Sequence, residues 1–157
     1  MIVIEIPGME KIMIQQIICD LNGTLAMTGQ ISNEVKAKLK MLKNKVRVII
    51  ASSDSRGNLK EIGEELGVDT YHLKLEQPED EEKKELILQL GVENTAAIGN
   101  GVNDNKMLEE AKISIAVIGR EGAAFKTINV ADILVTDPAY ALDLFLDTNK
   151  LRSTLRR

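Results

Sequence analysis

The chain has 157 residues and a formal net charge of −4, with 44% hydrophobic and 28% charged residues. This balance is typical of a soluble globular domain, so we expect residues 1–157 to form one domain with a sizeable core. Aromatic residues make up 3%, so aliphatic side chains must fill that core, as in a parallel sheet covered by helices. The negative charge disfavours a nucleic-acid partner, which requires a basic face.

The sequence also bears on membrane segments, disulfide bonds and the C-terminal tail. No apolar run is long enough to span a membrane, and the N-terminus lacks a signal-peptide pattern, so we expect a cytoplasmic location without a membrane partner. Cys19 is the one cysteine, which excludes an internal disulfide. Strand side chains alternate, so we expect Cys19 to be a core residue that points away from Asp20. The residues from about 150 to 157 are basic and predict a solvated helix end and tail.

Short apolar runs alternate with helical patterns along the chain. In order, strands are expected at 2–6, 12–19, 45–51, 70–73, 95–98, 114–118 and 132–135. Apolar residues at helical spacing predict helices around 35–42, 59–66, 86–90, 107–111 and 141–145. This alternation predicts a doubly wound α/β sandwich of three layers with a mostly parallel central sheet. Ligands bind such sheets at the carboxyl ends of the strands, so the residues that follow strands are candidate functional residues.

The segment from Asp20 to Thr24, which reads Asp-Leu-Asn-Gly-Thr, follows the second apolar run. A carboxylate at a strand end can act as a nucleophile. The pair Asn22-Gly23 is also a strong signal for a type I′ hairpin turn, and this alternative stays open.

Ser52, Ser53 and Asp54 follow the third run. A hydroxyl here could donate a hydrogen bond to a phosphate oxygen. Serine or aspartate at a strand-to-helix junction is usually a helix N-cap, and both interpretations remain.

The segment 99–104, Gly-Asn-Gly-Val-Asn-Asp, follows the fifth run. Its glycines allow a tight bend, and Asp104 opens the next helix. A plain loop with an N-cap explains the same pattern. A dinucleotide fingerprint is disfavoured, because its last glycine is replaced by Asp104 and the segment lies late in the chain.

Lys83 lies three, four and seven positions before the apolar residues of the predicted helix around 86–90. It therefore shares their buried face, whereas Lys84 points more towards solvent. The alternative is a lysine whose stem is buried while its amine reaches water. Carboxylates, hydroxyls and an amine at successive strand ends are the groups that phosphoryl transfer requires.

These stretches resemble, in order, the four motifs of the haloacid dehalogenase superfamily of phosphohydrolases, and the resemblance covers almost the whole chain. It implies Asp20 as the nucleophile, with Lys83 and the position of Asn22 also catalytic. It implies that the phosphate is bound by Ser52, Ser53, Gly23 and Lys83. It implies Mg²⁺ as the cofactor, held by Asp20, the Asn22 carbonyl and Asn100, with Asp104 nearby. The fourth motif is most similar to the phosphorylation domain of P-type ATPases and to small soluble proteins related to it.

Two positions depart from the family pattern. Asn22 stands where the phosphatases usually carry an acid that protonates the leaving group, and an amide cannot donate a proton in that way. Asn100 stands where the family usually has an aspartate that binds Mg²⁺, which lowers the expected metal affinity.

The intervals between the motifs are each filled by one helix and one strand, so no cap domain is expected. An open site is compatible with a large substrate such as a phosphoprotein, or with a small phosphorylated molecule if a second subunit of a homo-oligomer closes the site. We expect a phosphohydrolase; the alternative is a phosphate- or Mg²⁺-binding regulatory module with little turnover. A receiver domain also combines these residue types, but its phosphorylated aspartate lies on a later strand.

Overall fold

The computed structural model describes residues 1–156. Two antiparallel strands, β1 (Ile2–Ile4) and β2 (Ile12–Ile14), form a small separate sheet. The remaining strands form one parallel sheet in the spatial order 5-4-3-6-7-8. They are β3 (Gln16–Asp20), β4 (Arg47–Ser52), β5 (Asp69–His72), β6 (Thr95–Gly99), β7 (Ile113–Val117) and β8 (Ile133–Val135).

The single strand expected at 12–19 is two strands that belong to different sheets, with Gln15 between them. Met13 in β2 is exposed, whereas every residue of β3 is buried. The N–H of Gln15 donates to the carbonyl of Asn94, and its own carbonyl accepts from the N–H of Arg47. The prediction missed this break because neither glycine nor proline marks it. What changes at Gln15 is the burial of the strand: β2 is covered on one face, whereas β3 is covered on both.

Seven α-helices are present in residues 1–156. They are α1 (Asn33–Leu42), α2 (Leu59–Leu66), α3 (Glu79–Leu90), α4 (Asn105–Glu110), α5 (Phe125–Val130), α6 (Pro138–Leu146) and α7 (Thr148–Leu155). The structure confirms the five helices expected from apolar spacing, while α5 and α7 were not predicted.

The helices cover both faces of the parallel sheet. On one face, α1 contacts α2 and α6, and on the other α3 contacts α4. Successive residues of the central strand belong to separate apolar clusters, with Ile17 and Cys19 on the α1 face and Ile18 on the α3 face. The fold is therefore the expected three-layer α/β sandwich, and no cap domain is inserted within residues 1–156. Cys19 is a buried core residue opposite the face of Ile18, as predicted.

The C-terminal residues expected to form a basic tail are helical as far as Leu155. Asp147 caps α7 by accepting from the N–H of Asn149, and Leu151 is fully buried in the core. Arg157, the last residue of that expected tail, lies outside the described residues. None of the helices in residues 1–156 is both long and apolar enough to cross a membrane.

Candidate active site

Asp20 ends the central strand β3 and is 5% exposed. In the parallel register it lies beside Ala51 of β4, and β6 pairs with the other edge of β3. The chain runs from β3 to β4 and β5 in one direction and then returns to place β6 on the opposite side. Asp20 is therefore at the topological switch point, where sheets of this type bind ligands.

Lys83 extends from α3 to Asp20 and is completely buried. Its Nζ donates hydrogen bonds to Asp20 Oδ1 and to Asp104 Oδ1, each at 2.7 Å. The Nζ of Lys84 instead pairs with a Glu110 oxygen at 2.9 Å on the surface. The structure therefore confirms that Lys83, and not Lys84, faces this strand end, and it contradicts the alternative of a stem whose amine reaches water.

Asp20 and Lys83 both have perturbed pKa values, and the charge of Asp104 acts on each of them. Burial, followed by the charge of Asp104, raises the pKa of Asp20 to about 7, although the Lys83 amine opposes this shift. Burial by itself lowers the pKa of Lys83, but the charges of Asp104 and Asp20 outweigh it and raise the pKa well above its usual range. Lys83 is therefore protonated at neutral pH and is the proton donor in both hydrogen bonds.

Asp104 connects the lysine to the loop after β6. Its Oδ2 accepts the N–H groups of Asn100 at 2.9 Å and of Gly101 at 3.0 Å, while Oδ1 is bound by Lys83. Both oxygens are thus occupied by donors of the chain itself. The expected role of Asp104 as a metal ligand stays a prediction, and the geometry favours a positioning role.

Gly23 and Asn100 meet across the same strand ends. Gly23 has a φ of +80°, and a Cβ at this position would lie 2.7 Å from Asn100 Nδ2. Asn100 Oδ1 accepts from the Thr24 hydroxyl at 3.0 Å, which orients the side chain. A type I′ turn requires positive φ at both central residues, and Asn22 does not have it, so the hairpin alternative is wrong.

The Gly23 N–H donates to the carbonyl of Ala26 at 2.9 Å. The one backbone donor of Gly23 is therefore in use within the chain, and its expected phosphate contact stays a prediction. Its contribution is to let the backbone come close to Asn100.

Asn22 lies between the nucleophile candidate and Gly23. Its Oδ1 is buried and accepts no hydrogen bond from the chain within residues 1–156. A buried polar atom without a partner is uncommon, and a water, a ligand or an ion could satisfy it here.

Ser52 is the last residue of β4 and is buried. Its Oγ accepts the N–H of Asp54 at 3.0 Å, so the hydroxyl proton remains available for donation. Asp54 accepts the N–H groups of Asn58 and Leu59 at 2.9 Å each, and so provides the N-terminal cap that was the alternative for this segment. Ser53, half-buried, follows at the strand end.

The sequence prediction did not identify Glu121, in the loop that follows β7. Its Oε2 lies 2.9 Å from the point where a Cβ of Gly23 would stand. It also missed Glu82, whose carboxylate accepts the N–H groups of Lys74 and Leu75 and so fixes the loop before α3. Neither residue belongs to a recognisable motif, and their position depends on loop geometry.

The donor set at this edge fits Mg²⁺, which prefers oxygen ligands. The Asp20 carboxylate and the Asn100 amide oxygen lie at the strand ends, and Asn22, whose buried Oδ1 has no partner, stands between Asp20 and Gly23. Among residues 1–156 no three His, Cys, Asp or Glu side chains are clustered so that they could hold a metal ion by themselves, so amide and backbone carbonyl oxygens would have to complete the site.

Comparison with known proteins agrees with this geometry. Residues 10–112 match the model of the haloacid dehalogenase-like hydrolases. A "Soluble P-type ATPase-like phosphatase" of Methanocaldococcus jannaschii is 29% identical over 128 residues, which cover 80% of this chain and 46% of that protein. The "Copper-exporting P-type ATPase B" of Archaeoglobus fulgidus is 30% identical over 122 residues, covering 76% of this chain and 17% of that one. The chain thus spans less than half the length of either relative.

Solved structures show the same fold. The 3-deoxy-D-manno-octulosonate 8-phosphate phosphatase of Moraxella catarrhalis, in complex with magnesium, phosphate and KDO, superposes with a TM-score of 0.71 at 20% identity. The match covers 87% of this chain and 89% of that one. The family match extends over most of the chain and includes the strands of Asp20 and Ser52, the loop of Asn100 and the helix of Lys83. The chain belongs to the haloacid dehalogenase-like hydrolases.

Proposed function

We propose that this chain is a Mg²⁺-dependent phosphatase that transfers the phosphoryl group of its substrate to Asp20 and then hydrolyses the aspartyl-phosphate. The observation that carries the proposal is the fully buried Lys83, which is bound to both Asp20 and Asp104 at a strand end. Burying these charges costs several kcal/mol unless the geometry compensates, so such a cluster indicates a function more than it indicates stability.

In the first step, an Asp20 carboxylate oxygen attacks phosphorus, and the bond from phosphorus to the leaving oxygen breaks. Lys83 holds Oδ1, and Oδ2 is the oxygen that we expect to attack. The Lys83 ammonium stabilises the negative charge of the phosphoryl oxygens, and the Ser52 hydroxyl donates to one of them. When bound by Asp20, the Asn22 carbonyl and Asn100, Mg²⁺ supplies further positive charge next to these oxygens.

In the second step, water attacks the phosphorus of the aspartyl-phosphate, which releases inorganic phosphate and restores the Asp20 carboxylate. Asn22 cannot protonate the leaving group in the first step. The departing oxygen therefore leaves as an anion or takes a proton from water. The site thus fits substrates with good leaving groups, such as aryl or acyl phosphates.

The substrate side of the proposal follows from the absence of an inserted cap in residues 1–156. An open strand end accepts a phosphoprotein directly, or a small phosphorylated molecule if another copy of the chain covers it. We propose that neither a nucleic acid nor a membrane is a partner of the chain. We also propose a cytoplasmic location, which is supported by the description of the M. jannaschii phosphatase as soluble.

A regulatory module on the same fold is the second candidate. It is favoured by the neutral amides of Asn22 and Asn100 at two positions where phosphatases of this family usually carry acids. Such a module would accept or hold phosphate with very little turnover.

Replacement of the nucleophile tests the proposal. Asp20→Asn should abolish Mg²⁺-dependent hydrolysis of an aryl phosphate such as p-nitrophenyl phosphate, while circular dichroism shows an intact fold. Asp69→Asn makes the same change on the edge strand β5, where the carboxylate is about half exposed, and should leave the rate unchanged. Hydrolysis by Asp20→Asn at the wild-type rate would refute the mechanism. A phosphoryl adduct on the wild-type Asp20 peptide without turnover would support the regulatory module instead.

A further inference from the structure

Glu121 lies in the loop between β7 and α5, and its side chain is exposed. A short bridge between Gly119 and Gly122 closes this loop, and the N–H of Gly122 donates to the Gly119 carbonyl at 3.0 Å. Glu121 is the acidic residue of this closed turn.

The carboxylate of Glu121 is beside the Asn100 amide. The point where a Cβ of Gly23 would stand is 2.9 Å from Glu121 Oε2, 2.7 Å from Asn100 Nδ2 and 3.2 Å from Asn100 Oδ1. Both side chains therefore contact the same backbone position, directly after Asn22.

Hydrogen bonds fix this arrangement between the two loops. Asn100 Nδ2 donates to the Gly122 carbonyl at 3.2 Å, and the N–H of Ala124 donates to the Asn100 carbonyl at 2.9 Å. Both bonds attach Asn100 to the segment directly after Glu121, so the loop that carries this carboxylate lies next to the strand ends.

The net negative charge at this edge of the sheet is too small to balance a divalent cation. With Asp20 ionised, as a cation ligand must be, Asp20, Asp104 and the protonated Lys83 together leave one net negative charge. Asn100 is neutral. The Glu121 carboxylate adds a second negative charge, which matches the two positive charges of Mg²⁺.

We propose that Glu121 binds the divalent cation, directly or through a water molecule, and supplies the negative charge that Asn100 lacks. The inference rests on the proposed function, because it concerns the same cation. Carboxylate oxygens are the ligands that Mg²⁺ selects, and Mg²⁺ commonly keeps several waters through which a nearby carboxylate can act. Glu121 is thereby part of the phosphatase site although it comes from a loop outside the motifs.

Manganese binding tests the assignment without any assay of activity. The free Mn²⁺ signal in electron paramagnetic resonance gives a dissociation constant for the full chain, and competition gives the value for Mg²⁺. Glu121→Gln should weaken binding by about 10–100-fold, the usual effect of losing a residue that supports a metal site. Glu64→Gln makes the same change of charge at an exposed position of α2 and should bind Mn²⁺ as the wild type does.

A second variant separates charge from shape. Asn100→Asp combined with Glu121→Gln moves the negative charge to the neighbouring side chain and should restore most of the affinity. Equal affinity of Glu121→Gln and the wild type would overturn the role of Glu121 alone. Absence of Mn²⁺ and Mg²⁺ binding by the wild type would overturn both this role and the proposed use of a metal.

Discussion

Replacement of Lys83 by methionine isolates the energetics of the buried cluster. The change keeps a long side chain but leaves Asp20 and Asp104 buried without the ammonium that is 2.7 Å from each. Removing one partner of a buried ion pair costs about 3–5 kcal/mol, because the remaining charge is uncompensated. We expect Lys83→Met to lower the free energy of unfolding by that amount at pH 8 in the presence of a chelator. This is a large part of the ~5–15 kcal/mol typical of a domain.

Urea denaturation followed by circular dichroism measures this change. Lys84→Met is the matched control, since Lys84 is one residue away and makes a surface ion pair that contributes little. If Lys83→Met does not fold, the double variant Asp20→Asn/Lys83→Met should fold, because only one buried carboxylate then remains. A loss no greater than that of Lys84→Met, or a double variant no more stable than Lys83→Met, would refute the reasoning.

The pH dependence of the same variant has a definite sign. The pKa of Asp20 is raised to about 7 in the folded wild type, and the loss of Lys83 removes an interaction that lowers it. A raised pKa means that the folded state binds the proton more tightly than the unfolded state, whose carboxyl titrates near ~4. The stability that protonated Asp20 contributes is therefore complete below the pKa of the unfolded state, and it is lost as the pH rises through the pKa of the folded state. The deficit of Lys83→Met relative to the wild type should therefore be smaller at pH 5 than at pH 8.

Two further predictions concern the loop after Asp20. General acid catalysis raises a rate by ~10²–10⁴-fold, and Asn22 cannot supply it. Aryl phosphates, which have the better leaving groups, should therefore be hydrolysed much faster than alkyl phosphates. Asn22→Asp should narrow the ratio of these rates, and equal wild-type rates with chemistry rate-limiting would contradict this role of Asn22. Gly23→Ala should destabilise the fold more than Gly122→Ala in urea denaturation. Both positions have positive φ, which costs about 1–2 kcal/mol in an L-residue, but only the Cβ at 23 meets Asn100 and Glu121. Equal losses in the two glycine variants would show that the approach of Asn100 to Gly23 is not tight.

The sequence was sufficient to predict the three-layer α/β sandwich and the directions of two side chains on regular elements, Cys19 and Lys83. Lys83 could be distinguished from Lys84 because helical periodicity determines which side chain faces the core. Cys19 could be placed on the face opposite Asp20 because side chains alternate along a strand. Both rules depend on local backbone geometry that the sequence pattern reports directly.

What the sequence did not predict depends on tertiary structure. Gln15 has no turn signal, and the chain changes sheets there because its hydrogen-bond partners, Asn94 and Arg47, come from distant segments. The N–H of Gly23 is used by Ala26 in a turn that a motif does not describe. Glu121 lies near Asn100 because its loop is bound to that residue, so its proposed role can be inferred only from the folded structure.

The central position of β3 has a consequence for the order in which the molecule assembles. Its partner on one side, β6, is remote in sequence: the Gln16 side chain bonds that of Thr95, 79 residues away. Closing so large a loop is slow, since its entropic cost must be met before the contact forms. An intermediate with β3 and β4 paired but β6 not yet docked would hold Asp20 beside Ser52 without the loop of Asn100 and Asp104. The charged groups of the site thus come from segments far apart in sequence, and a nascent or truncated chain that ends before β6 lacks Asn100 and Asp104 and cannot assemble the complete site.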